Sequence, residues 1–280
     1  MPDLPLHISL NLKGYLMDLD IPKVMGVLNV TPDSFYSGSR CPGKTEVKAR
    51  VEEMVNQGVD IIDIGGCSTR PGFEAPSAEE EWERISIGCE IVRELATDIP
   101  ISIDTFRASV AGRASDTWDI EIVNDISGGI DPDMWPLVAE RKIAYVLTHN
   151  RENNSRDYDN VVADVITELS IKVNEIHRLG ICDVIIDPGF GFSKSTEQNF
   201  ELLASLHEVK RMGLPILVGI SRKSMIYKTL DVSPEESLAG TVALDAIALE
   251  KGADILRVHD VKAAADTVAL YKKLIPYTKK

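Results

Sequence analysis

Residues 183–224 read DVIIDPGFGFSKSTEQNFELLASLHEVKRMGLPILVGISRKS, and they set out one unit of the fold and the start of the next. An apolar run ends in a carboxylate, Asp187, and a glycine-punctuated polar loop carries the chain on to Lys194. From Thr196 to Gly213 the pattern turns amphipathic and stops at glycine, which predicts one long helix. A second apolar run then starts at Leu214 and ends in Arg222, Lys223 and Ser224. A strand, a polar tail, a helix and a second strand in that order make a parallel unit with a right-handed crossover.

Outward from this stretch the same unit recurs eight times between residues 23 and 262. The other runs and tails are KVMGVLNVTPDSF (23–35), VDIIDIGGCSTRPG (59–72), IPISIDT (99–105), IEIVNDISG (120–128), IAYVLTHN (143–150) and ADILRVHDV (253–261). Their ends hold residues that a buried strand would exclude: Asn29, Asp63, Asp104, Asn124, Asp125, His149, Asp187, Lys223, Arg257 and His259. In a closed barrel of parallel strands all carboxyl ends meet at one mouth, so these scattered positions are expected to be neighbours there. An open doubly wound sheet would carry GxGxxG after an early strand, and none is present. The expected fold class is therefore α/β, a single (β/α)8 TIM barrel over residues 23–280. Residues 1–22 stand outside the repeat. Partial alternation in HISLNLKGYLMDLD (7–20) around a Lys-Gly turn predicts a short N-terminal β-hairpin plugging the bottom.

Helices are expected between the runs. KTEVKARVEEMVNQG (44–58) spaces Val47, Val51, Met54 and Val55 helically, and SAEEEWERISIGCEIVRELAT (77–97) opens on a Ser-x-x-Glu capping pattern. Residues Val161 to Gly180 are again amphipathic, and PEESLAGTVALDAIALEKGA (234–253) is rich in small residues suited to close packing on a barrel.

Thirty Lys and Arg against forty-four Asp and Glu leave a net charge of −14 over 280 residues. Nucleic acid and acidic membranes are thereby disfavoured as partners, and an anionic substrate needs a local basic pocket. Cys41, Cys67, Cys89 and Cys182 show no CxxC spacing, so reduced thiols in a cytoplasmic protein are expected rather than disulfides or zinc. No apolar run approaches membrane-spanning length.

The run ends carry two kinds of chemistry. Ser68, Thr69 and Arg70 between glycines suit an anion, and Arg222, Lys223 and Ser224 at a helix start, beside Arg257 and His259, lie where barrels commonly bind phosphate. Carboxylates and amides at Asp104, Asn124 and Asp187 need a polar ligand to satisfy them, and Asp and Asn match the edge of an amino-pyrimidine. Together they suit a flat nitrogen heterocycle in the middle and an anion at the rim.

The segments MGVLNVTPDSF, DIGGCSTRPG, SIDT, NDISG, DPGFGF, SRKS and RVHDV, in this order and at these run ends, closely resemble the dihydropteroate synthases of folate biosynthesis. The resemblance covers nearly all of the chain after residue 22. It implies condensation of 6-hydroxymethyl-7,8-dihydropterin pyrophosphate with p-aminobenzoate, with magnesium as cofactor and a homodimer as the assembly. It places the pterin against Asp104, Asn124, Asp187 and Lys223, and pyrophosphate and the metal near Asn29, Arg257 and His259, with Asn29 as the metal ligand. It brings Asp33, Thr69, Arg70 and Pro71 in on two closing loops and gives the p-aminobenzoate carboxylate to Ser224. Asp33, Arg70, Asp104, Lys223, Arg257 and His259 are the residues it implies for catalysis. Three departures stand out: Tyr36-Ser37-Gly38-Ser39 replaces a frequent Ser-Asp-Gly-Gly, Cys67 replaces a common Glu, and Thr148 and Asn150 replace two methionines that commonly wall the pterin pocket. Two other readings stay open: a pterin-binding methyltransferase of the methyltetrahydrofolate and corrinoid kind, which has no need of STRPG and SRKS, and a non-catalytic pterin-binding paralogue.

Overall fold

The computed structural model describes residues 8–31, 43–67, 75–151 and 155–278. It opens on two short strands, β1 (Ser9–Leu12) and β2 (Tyr15–Asp18), paired antiparallel with Leu10 opposite Met17. Lys13 and Gly14 both take positive φ (51° and 97°), the tight turn whose twist suits a hairpin. The repeat then runs β3 (Lys23–Asn29), α1 (Lys44–Asn56), β4 (Ile61–Gly65), α2 (Ala78–Leu95), β5 (Ile101–Asp104), α3 (Ala108–Trp118), β6 (Ile122–Asp125), α4 (Met134–Arg141), β7 (Ala144–Thr148), α5 (Val161–Arg178) and β8 (Val184–Asp187). It continues through α6 (Thr196–Ala204), α7 (Leu206–Lys210), β9 (Leu217–Val218), α8 (Ser224–Leu230), a 3-10 turn (Glu235–Ser237), α9 (Leu238–Glu250), β10 (Ile255–Val258) and α10 (Val261–Thr278).

Strands β3 to β10 form one parallel sheet in the order β8-β7-β6-β5-β4-β3-β10-β9. Its two edges meet through a single bridge, Ile186 to Ile216, with the Ile186 N–H donating to Pro215 O at 2.9 Å. The expected barrel of eight strands is thus the observed one, nearly closed, with its thinnest seam at β9. That strand is short because Pro215 precedes it and Gly219 follows, and neither favours a ladder.

Side-chain alternation divides the core in two. One set of strand residues, among them Ile62, Ile64, Ile103, Val123, Tyr145, Leu147 and Ile186, packs outward under the helices. The other set, Met25, Ile61, Ile122, Ala144, Val146, Ile185, Leu217 and Ile255, points inward and forms one cluster with Leu10, Leu12, Met17 and Leu19 of the hairpin. The hairpin therefore plugs the amino-terminal end of the barrel and is tied there by the Asn11 N–H donating to Asp183 Oδ1 at 2.7 Å. The plugged lower barrel is apolar, so Asp63, Asn124, Asp187 and Arg257, each two positions beyond an inward apolar residue of its strand, stand above a dry floor.

The helices form where their patterns put them, with one difference. The segment from Thr196 to Gly213 is two helices, because Ser205 leaves helical geometry (φ −102°, ψ 15°) and ends α6. The break lets Leu202, Leu203, Leu206 and Val209 all stay buried against the curved barrel. Among the described residues, no helix is long and apolar enough to cross a membrane.

Candidate active site

The mouth is built from the last inward-facing position of each strand. Asp63 and Gly65 stand there on β4, Asp104 on β5, Asn124 on β6, Thr148 on β7, Asp187 on β8 and Arg257 on β10. The register sets Gly65 beside Asp104 and Asp104 beside Asn124, and, one layer higher because Asn124 pairs with Val146, Thr148 beside Asp187. Asn29 joins this group across Gly65: a Cβ on that glycine would lie 3.3 Å from Asn29 Oδ1 and 3.8 Å from Asp104 Oδ2. The missing side chain is what lets these two oxygens face one space.

Arg257 crosses the floor of the mouth. Its Nε donates to Asp63 Oδ2 at 2.7 Å and its Nη2 to Asp104 Oδ2 at 2.5 Å. The sequence placed Arg257 at the outer anion rim, whereas the guanidinium turns inward over two carboxylates. Burial works against its charge, but Asp63 and Asp104 outweigh burial and hold it above its ordinary range. Burial pushes Asp104 up to about 7 in spite of Arg257, with Asp63 adding to the rise.

The loop after β8 forms the opposite wall. Gly189 takes φ +74°, and any Cβ there would fall 1.9 Å from His149 O, so only glycine lets the two loops touch. The Gly189 N–H donates to Asp187 Oδ1 at 2.8 Å, and burial raises the Asp187 carboxyl above its usual range. Lys223, one residue before α8, donates to Phe190 O and sits 4.6 Å from the centre of the Phe192 ring. Burial lowers its ammonium to about 8 against the pull of Asp187. Ser224 opens α8, as the sequence predicted. His259 stands exposed beyond Arg257, with its Nδ1 3.1 Å from Ser221 Oγ.

Two of the polar run ends do not join this group. Asp125 faces outward, accepting from the Ser127 and Gly129 N–H groups and from the Tyr145 hydroxyl, because it alternates with the inward Asn124. His149 alternates with Thr148 in the same way: its Nε2 lies 2.9 Å from Glu168 and its Nδ1 3.0 Å from Lys194 Nζ. Asp33, Thr69 and Arg70 lie outside the described residues.

Three residues of the site carried no assigned role in the sequence. Asp63 was visible there only as one polar strand end among ten, and the signal that could have raised it is its place two residues before Gly65 on the inward parity. Lys194 is buried, donates to Gly189 O and Phe192 O at 3.1 and 3.2 Å, and is lowered to about 7 by burial. Ser221 braces His259.

Among buried side-chain atoms without a hydrogen-bond partner are Asp63 Oδ1, Ser102 Oγ, Asn124 Oδ1 and Thr148 Oγ1, on four successive strands. Such atoms call for a polar ligand or water at their side of the barrel.

A family model described as pterin binding enzyme matches residues 25–259. The dihydropteroate synthase of Clostridium beijerinckii is 43% identical over 242 residues, 85% of this chain and 88% of that protein. The chain belongs to the dihydropteroate synthase family. A solved dihydropteroate synthase from Xanthomonas albilineans, described with 4-aminobenzoic acid, superposes with a TM-score of 0.89 at 37% identity, covering 96% of this chain and 98% of that one. A second structure of the Xanthomonas protein, described in complex with 7,8-dihydropteroate, gives 0.85 at 35% identity over 95% and 98%. Against the family pattern, Asn150 turns away from the pocket, donating to Ile126 O and accepting from Ser193 Oγ, so it ties loops together. Thr148 keeps the wall position and sets a hydroxyl there.

Proposed function

We propose that the chain joins 6-hydroxymethyl-7,8-dihydropterin pyrophosphate to p-aminobenzoate, forming 7,8-dihydropteroate and releasing pyrophosphate. The observation that carries this reading is the group of buried Asn124 and Asp187 with half-buried Asp104 and Lys223 above an apolar floor, with Asn124 Oδ1 left without a partner. A flat heterocycle bearing both N–H donors and a carbonyl satisfies it: Asp187 accepts from the ring edge, and Lys223 donates to it.

The bond between the exocyclic methylene carbon and the pyrophosphate oxygen breaks, and the oxygen keeps the electron pair. Arg257 and His259 are the groups assigned to the charge that develops there. The methylene carbon becomes cationic, conjugated with the ring, and Asp104 lies near enough to stabilise it. The arylamine nitrogen then forms the new C–N bond and releases its proton. Ser224, at the start of α8, is the group assigned to the p-aminobenzoate carboxylate. Asp33, Thr69 and Arg70 are assigned to the loops that exclude water from the cation.

Magnesium fits the donors at hand: Asn29 Oδ1 and the Asp104 carboxylate, both hard oxygens, share the space over Gly65 and would hold the ion there. When bound it would neutralise charge on the leaving pyrophosphate, with Asn29 holding it.

A homodimer and a cytoplasmic setting belong to the same reading. Leu270, Leu274 and Tyr277 form an exposed stripe on α10 that supports the first, and the unbridged thiols of Cys89 and Cys182 support the second. The deciding experiment incubates the purified protein with both substrates and magnesium and follows dihydropteroate by mass spectrometry. Product formation is expected. Tight pterin binding with no product would replace the enzyme by a non-catalytic pterin-binding paralogue.

A further inference from the structure

Asp63 is fully buried on β4, yet two of the groups assigned to substrate converge on one of its oxygens. Arg257 Nε donates to Asp63 Oδ2 at 2.7 Å from β10, and Asn124 Nδ2 donates to the same oxygen at 3.0 Å from β6. The strands that carry these residues lie on opposite sides of β4, two places away on each flank. We infer that Asp63 is a positioning residue that fixes the hydrogen-bond polarity of the heterocycle site.

The argument is one of donors and acceptors. A carboxylate accepts only, so the Asn124 amide is obliged to turn its NH2 toward Asp63. Its Oδ1 then faces away from Asp63 and, buried, has no partner. Asn124 therefore presents an acceptor to the ligand, and the ligand group it meets is an N–H donor. Were the amide free to flip, half of its orientations would set NH2 against that N–H. The same carboxylate holds Arg257 by Nε, which leaves the end of the guanidinium to reach Asp104 and the anion side. One side chain thus sets, through a single oxygen, the orientation of two that are assigned to the reactants. A merely structural acid would not determine which edge of a ligand is accepted. The inference rests on the pterin reading of the site, and its test separates the two.

The test is a double-mutant cycle of Asp63→Asn and Asn124→Ala, read by calorimetric titration with 6-hydroxymethylpterin in the presence of inorganic pyrophosphate. The unsubstituted protein and Asn124→Ala examine the site itself. Binding by the first, weakened in the second, is the expected result, and no binding by the unsubstituted protein removes the pterin reading and this inference with it. Asp63→Asn keeps the shape but no longer dictates the amide's orientation, and affinity is expected to fall about 10- to 100-fold, the worth of a hydrogen bond involving a charged group. The double variant should lose less than the sum of the two single losses, because part of the effect of Asp63 passes through Asn124 and only the remainder through Arg257. Fully additive losses, or unchanged affinity in Asp63→Asn, would overturn the inference while leaving the pterin site standing. A second arm serves if Asp63→Asn does not fold: Asn124→Asp sets two carboxylates together, and the exchange Asp63→Asn with Asn124→Asp restores one donor and one acceptor between the same strands. Affinity per folded molecule should recover in the exchange variant relative to Asn124→Asp, and no recovery would count against the assignment.

Discussion

Arg257 and His259 leave the same end of β10 two residues apart, yet their surroundings assign them different costs. Arg257→Ala strips the cation from buried Asp63 and half-buried Asp104, and breaking a buried pair in this way costs about 3–5 kcal/mol. His259→Ala removes an exposed ring and is expected to leave stability nearly unchanged. Both should slow the chemical step. Thermal melting beside single-turnover rates checks this, and equal melting temperatures for the two variants would show that the Asp63 and Asp104 pairs carry no stability. Asp245 gives a second expectation. It is buried on α9 with Oδ1 unpartnered, and burial, with some contribution from Asp260, raises its carboxyl to about 7 from 3.8. A carboxyl raised on folding binds its proton more tightly in the native state, so it destabilises increasingly as pH climbs from about 4 to 7 and fully above that. Asp245→Asn is therefore expected to stabilise by on the order of 2–4 kcal/mol at pH 8 and to make no difference at pH 3.5. Urea unfolding at both pH values decides it, and equal effects at the two would exclude ionisation as the cause. Much of this scale was legible in the sequence because a polar residue closing an apolar run marks the mouth. What the runs did not reveal is which of two adjacent polar residues faces in: Asn124 and Asp125 read alike until strand register separates them. The inward turn of Arg257 was hidden too, since its partners lie 194 and 153 residues away.

At the scale of elements, α2 shows how a local signal survives folding. Ser77 accepts from the Glu80 N–H while the Glu80 carboxylate accepts from the Ser77 N–H, the reciprocal cap that Ser-x-x-Glu predicts. Ser77→Ala is expected to lower stability by about 1 kcal/mol, with kcat and KM unchanged. Chemical denaturation with steady-state kinetics tests this, and a kinetic defect without loss of stability would mean that Ser77 serves the site directly. The division of residues 196–213 into α6 and α7 was not legible. Apolar spacing runs through Ser205 without interruption, and the break answers the curvature of the barrel, which no local pattern encodes. The same holds for β9, whose two residues of ladder look like a longer strand in LPILVGI.

Across the whole molecule, the stripe of Leu270, Leu274 and Tyr277 recurs at i, i+4 and i+7 and covers one face of α10. Replacing Leu270 and Leu274 together by Glu is expected to convert the proposed homodimer to a monomer in sedimentation velocity, and a dimer that survives would move the interface elsewhere. The hairpin gives the other prediction at this scale. Leu12→Ala, in the plug rather than in the repeat, should cost about 2–5 kcal/mol, as a large-to-small change in a packed core does. Its effect should appear in one cooperative transition with the barrel, and an early separate transition would show the hairpin folding apart. The plug also shapes events in time. With the lower end shut, every molecule that enters or leaves passes the upper opening, so the compound seated deepest is first in and last out. With the heterocycle in its proposed seat, an arylamine that arrives afterwards would stand in the exit behind it and detain it rather than displace it, so that architecture would set the order of the two substrates before any contact is compared.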